Sequence, residues 1–162
     1  MDEILRIKSI SEFHETLGVP APLHPLISLF EESKIPQDQK PDMAQYWDVR
    51  FTTDMYAIMY KDSVEGSLGY GRNSYDFQHG SLIFISPGQV ISSPPKEIMK
   101  KSKGWSLIFH PDLIRKSALG ERMDEYSFFS YEVNEALHLS DKEESFIFEV
   151  IKQIETEYSQ NI

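Results

Sequence analysis

Apolar positions in the middle of the chain recur every second residue, the period of a strand with two unlike faces. In Met55-Tyr56-Ala57-Ile58-Met59-Tyr60-Lys61 the residues Tyr56, Ile58 and Tyr60 fall on one face. In Gly104-Trp105-Ser106-Leu107-Ile108-Phe109-His110, Trp105, Leu107 and Phe109 share one face, and Ser106, Ile108 and His110 the other. Ser81-Leu82-Ile83-Phe84-Ile85-Ser86 is the clearest strand, closed by the turn dipeptide Pro87-Gly88. Shorter strands are expected at Leu26–Phe30, Tyr46–Phe51, around Leu68–Arg72, at Tyr75–Phe77 and at Gln89–Ile91, with Pro94-Pro95 ending the last.

Either side of this stretch the pattern changes. Residues 1–45 read as irregular with one or two short strands, and Pro20, Pro22 and Pro25 break any helix in Gly18–Pro25. After His110 the period becomes helical. Pro111 suits a first helical position, and the short helix over about 111–119 is expected to stop at Gly120. Phe128–Tyr131 suits a short strand. Ser140 with Glu143 forms a capping box before a run in which Ile147, Ile151, Ile154 and Tyr158 recur at helical spacing. Phe146, Phe148 and Val150 widen that apolar surface, so the helix has two readings: packing on its own domain or pairing with a partner.

Many short strands followed by helices predict a mainly β domain, a barrel or sandwich with a helical appendix. Hydrophobic residues are 40% of the chain, enough for a packed core, and there are ten Phe, eight Tyr and two Trp. The absence of cysteine excludes disulfides, thiolate metal sites and cysteine nucleophiles. With 16 basic against 26 acidic residues the chain lacks the cationic surface that duplex DNA requires. The N-terminus lacks a signal-peptide pattern and no apolar run is long enough to span a bilayer, so a cytoplasmic location is expected.

Local catalytic signatures are missing. The histidines 14, 24, 79, 110 and 138 show no metal-ligand spacing, and no serine sits in a nucleophile frame. No metal, cofactor or catalytic residue is expected. Gly66-Ser67-Leu68-Gly69-Tyr70-Gly71 lacks the Lys and helix of a phosphate loop, and reads as bends in a strand. Lys96, Lys100, Lys101 and Lys103 read as a solvated hairpin tip. The strand aromatics either fill the core or line a ligand cavity, in which Arg72 and His110 would supply polar groups. The candidate lining residues are Tyr56, Tyr60, Tyr70, Arg72, Phe84, Trp105 and His110.

Several segments, in order, resemble one family. Gly71–Phe77 through Ser81-Leu82-Ile83-Phe84-Ile85-Ser86-Pro87-Gly88-Gln89 resembles the barrel core of bacterial AraC-type transcription regulators. Gly104–Ile114 resembles their strand that runs into a helix, and Tyr126–Phe129 with Asn134–Ser140 the approach to the last sensor-domain helices. The resemblance covers most of residues 20–162. It implies a cupin-like double-stranded β-helix over residues 1–130 and a helical extension over 131–162. It further implies a ligand-sensing domain that binds a small effector and forms a homodimer through its C-terminal helices, with Ile147, Ile151, Ile154 and Tyr158 as candidate dimerisation positions. DNA would be met only through a C-terminal helix-turn-helix domain absent from this chain. The alternative is a stand-alone cupin enzyme, an isomerase or dioxygenase, although the cupin metal motif is missing. A third reading is a fully packed barrel that only dimerises.

Overall fold

In the computed structural model, the residues described are 4–17, 19–31, 50–61, 67–70, 73–76, 80–92, 104–126, 129 and 137–160. They form a mixed α/β domain of two five-stranded sheets. The strands are β1 (Ile4–Ile7), β2 (Ile27–Glu31), β3 (Arg50–Thr53), β4 (Tyr56–Lys61), β5 (Ser67–Tyr70), β6 (Asn73–Asp76), β7 (Ser81–Ile85), β8 (Ile91–Ser92), β9 (Gly104–Phe109) and β10 (Leu137–His138). The helices are α1 (Ile10–Leu17), α2 (Ala118–Arg122) and α3 (Asp141–Gln160), with 3-10 turns at Pro111–Leu113 and Met123–Glu125.

One sheet runs β1-β3-β8-β5-β6 and the other β10-β7-β4-β9-β2. The pairings are nested: β2 with β9, β3 with β8, β4 with β7 and β5 with β6, all antiparallel. The chain therefore behaves as one long hairpin folded back and forth between two layers. Cross-links β4–β9 and β5–β8 join successive folds of that hairpin. β1 adds a parallel edge beside β3. Among the described residues the layers remain two sheets and do not close into one barrel.

The second sheet is apolar on both faces, so each face needs its own cover. Its inner face meets the first sheet through Ala57, Ile83, Ile85 and Ile108, which pack with Ile7, Ile10, Met55 and Ile91. Its outer face carries Tyr60, Leu82, Trp105, Leu107 and Phe109, covered by Met123, Phe129 and the isoleucines of α3. Gly80 sets the approach of α3. Its left-handed φ of 74° makes the turn into β7, and its carbonyl accepts from Leu139 N–H at 2.9 Å, just before the helix.

Sequence expectation and structure agree at β2, β4, β7, β9 and α3. Ser140 caps α3 as expected, its hydroxyl accepting from Glu143 N–H at 3.2 Å. Three expectations are corrected. Besides the short strands expected in residues 1–45, the chain there forms the helix α1, started by Ser9 Oγ accepting from Glu12 N–H while Glu12 accepts from Lys8 N–H. Gly120 does not stop a helix over 111–119. That segment is a 3-10 turn followed by turns, and Ser117 then caps a new helix by accepting from Gly120 N–H. The strand at Gln89–Ile91 is shorter and later, at Ile91–Ser92, because Gln89 folds into the preceding turn. Most of the strand expected at Tyr46–Phe51, all but Phe129 of Phe128–Tyr131, and the lysine cluster at 96–103 lie outside the described residues.

Candidate functional site

The richest cluster is the aromatic layer between the second sheet and its helical cover. Register aligns its members across the sheet: Tyr56 opposite Phe109, Tyr60 opposite Trp105, and Phe84 opposite Ile58. Tyr60 stacks on Trp105 with centroids 5.8 Å apart, and Phe148 of α3 meets Tyr60 edge-on at 4.9 Å. At the other end Tyr56 stacks on Phe109 at 5.3 Å. Phe129 lies edge-on to both Tyr56 and Phe84, at 5.1 and 5.4 Å. Ser86 Oγ donates to the Phe129 carbonyl and holds that ring in place. Offset and edge-to-face contacts of this kind each add about 0.5–1.5 kcal/mol beyond area burial.

The Tyr56 and Tyr60 hydroxyls and the Trp105 indole N–H interrupt this layer. Burial, and secondarily the Asp124 carboxylate, raises the Tyr56 phenol above its ordinary value. The Trp105 indole is 6% exposed, and its Nε1–H is buried without a hydrogen-bond partner. An orphaned buried donor of this kind costs about 1–3 kcal/mol.

The inter-sheet core is different in kind. Its buried side chains are aliphatic, with Phe13, Phe30 and Phe51 packed at its margin, and its histidine is satisfied on both sides, whereas Gln89 Nε2 is buried without a partner. His14 Nδ1 lies 2.7 Å from the Pro20 carbonyl and Nε2 2.6 Å from Ser28 Oγ. A carbonyl can only accept, so Nδ1 carries the proton, and Nε2 accepts from the serine hydroxyl. This is the geometry of a nucleophile and its base, but Ser28 has no exposed surface. The pair is a cross-link from α1 to β2. Thr53 Oγ1 donates to the Met55 carbonyl and accepts from Met55 N–H, and Gln89 Oε1 accepts from Ser86 N–H at 2.6 Å. Among the described residues no three His, Asp or Glu side chains converge.

The sequence-derived candidates divide accordingly. Tyr56, Tyr60, Phe84 and Trp105 come together, but on the outer face under α3 rather than between the sheets. His110 stands apart at the end of β9. Its Nδ1 accepts from Asp112 N–H at 3.1 Å and caps the 3-10 turn. Tyr70 lies in β5, its side chain outside the description, and Arg72 lies outside the described residues. Of the dimerisation candidates, Ile147, Ile151 and Ile154 pack against the chain's own sheet, and Tyr158 Oη accepts from Leu23 N–H at 3.1 Å. The exposed apolar residues of α3 are Phe146, Phe148 and Val150. Sequence reasoning missed His14 and Ser28, whose partnership spans a turn with no recognisable spacing. It also missed Phe129 as an anchor.

These features define a two-layer β domain with an aromatic seam beneath a C-terminal helix. Comparison with protein-family models, curated proteins and solved structures returned no match. Among the described residues no helix is long and apolar enough to cross a membrane.

Proposed function

We propose that this chain is the ligand-sensing and dimerisation domain of an AraC-type transcription regulator, built on a cupin-like jelly roll. The observation that carries the reading is the nested pairing of β2 with β9, β3 with β8, β4 with β7 and β5 with β6, laid out in two sheets. A jelly roll has this connectivity. The helix α3 at the C-terminal end of the described residues supports the regulator over the enzyme alternative, because it is placed to link a sensing domain to what it controls.

In this reading a small effector binds the domain and biases an equilibrium between two arrangements of a DNA-binding domain that follows it. The domain forms a homodimer through α3. Ile147, Ile151 and Ile154 face the chain's own sheet and Phe148 packs on Tyr60, so the pairing surface comprises Phe146 and Val150 on the side left open. Sedimentation of the purified chain, with thermal unfolding in the presence of a small-molecule library, tests both parts. A dimer and a saturable rise in Tm are expected, equivalent to about 2.7 kcal/mol at a hundredfold excess over Kd. A monomer that no compound stabilises would contradict the reading.

A further inference from the structure

We propose that the proline-rich segment 19–26 is a stiff strut that couples the inter-sheet core to the last turn of α3. This deepens the sensor reading and rests on it for its purpose: a change felt between the sheets is delivered to the end of the helix that carries the output.

The segment is fixed at both ends. At its start Val19 N–H donates to the His14 carbonyl at 3.1 Å, and His14 Nδ1–H donates to the Pro20 carbonyl at 2.7 Å. The other nitrogen of the same ring accepts from Ser28 Oγ at 2.6 Å, and Ser28 has no exposed surface. At the far end the Leu26 carbonyl accepts from His110 N–H at 2.8 Å, and Leu26 N–H donates to His24 Nδ1 at 3.0 Å. Both anchors stand on paired strands, since Ser28 lies in β2 and His110 follows β9 directly.

Between the anchors the backbone has little freedom. Pro20, Pro22 and Pro25 fix their own φ, and each presses the residue before it, Val19, Ala21 or His24, toward an extended backbone. Only Leu23 and Leu26 escape both restrictions. Leu23 is the residue that reaches out, its N–H donating to Tyr158 Oη in the last turn of α3 at 3.1 Å. Its side chain is exposed, so the tie to the helix is made by the backbone and not by packing. A flexible loop would absorb a displacement of Pro20. Here only Ala21 and Pro22 separate Pro20 from Leu23, and both are restricted. No residue of α3 is buried, so the helix is free to follow a small movement of its tie. The route from Ser28 through His14, Pro20 and Leu23 to Tyr158 is thus a continuous chain of hydrogen bonds and stiff backbone.

The test is amide hydrogen exchange and imidazole ¹⁵N spectroscopy of the full chain with no effector present, so its failure leaves the sensor reading standing. Every exchange effect is taken beyond the change shown by the amides of β4, which report global stability. Tyr158→Phe removes only the acceptor and should speed exchange of the Leu23 amide about fivefold. Ser28→Ala touches neither partner of that bond, yet should speed the same amide about threefold. Coupling is reciprocal, so Tyr158→Phe should also shift the His14 Nδ1–H signal. Pro22→Gly leaves each of these hydrogen-bonding groups in place and frees the backbone between them, and in that background Ser28→Ala should no longer reach Leu23. A Leu23 amide that ignores Tyr158→Phe or Ser28→Ala, or a Ser28→Ala effect that survives Pro22→Gly, would overturn the proposal. Should Ser28→Ala not fold, the His14 response to Tyr158→Phe decides: its presence, and its loss with Pro22→Gly, would support the strut, and its absence would refute it.

Discussion

The two faces of the second sheet solve the same burial problem with different chemistry. The inner face is aliphatic, with Ala57, Ile83, Ile85 and Ile108 meeting Ile7, Met55 and Ile91 from the opposite layer. Both ring nitrogens of His14 are hydrogen-bonded there, while Gln89 Nε2 is buried without a partner. The outer face is aromatic, carries an unpaired indole N–H, and is covered by a helix with no buried residue. Branched aliphatic side chains in few rotamers make a tight, unique core. Large rings with a polar edge pack instead through offset and edge-to-face contacts.

Substitutions should separate the layers. The largest loss is expected inside: Ile83 is fully buried, and Ile83→Ala should cost about 3–4 kcal/mol, measured by urea unfolding. On the outer face Ile151→Ala should cost about 2 kcal/mol, because Ile151 packs on the sheet but stays partly exposed. A loss for Ile151 equal to that for Ile83 would mean that both layers are core. The neighbouring Phe146 is 66% exposed, and Phe146→Ala should change monomer stability by no more than about 0.5 kcal/mol while weakening the proposed dimer. An unchanged dimer would move the pairing surface elsewhere.

Alkaline pH gives a smaller and more selective probe. The Tyr56 phenol is raised above its ordinary value of 10.0, by burial first and by Asp124 second. Between the unfolded and folded values the native state holds a proton that the unfolded chain has lost. The contribution of Tyr56 is thus complete below about pH 10 and is lost as pH rises through its folded value. The stability advantage of the wild type over Tyr56→Phe should shrink above that point, and part of the effect should persist in Asp124→Asn. A pH-independent difference would mean that the phenol is not desolvated.

Alternation in the sequence sorted Tyr56, Ile58 and Tyr60 from Ala57 and Met59, and Trp105, Leu107 and Phe109 from Ser106 and Ile108. Both sets are apolar, so the pattern alone could not say which faces the other sheet. That ambiguity put the aromatic set into an expected barrel interior. The helix α3 was legible because its cap and period are local. The α1 helix was missed although Ser9 and Glu12 have capping-box spacing, since three prolines just beyond dominated the reading of that region. Gly120 looked like a stop because a glycine ends many helices, whereas Ser117 starts one here. The nested pairing is a property of distant segments and leaves no local mark.

The central claim is that this domain senses on behalf of a DNA-binding partner domain, and the most direct measurement is the native reading frame beyond the Ile162 codon. The account predicts a further domain there, net basic and carrying paired helix-turn-helix signals. A stop codon at that point would contradict it and return the aromatic seam to a binding protein or an enzyme.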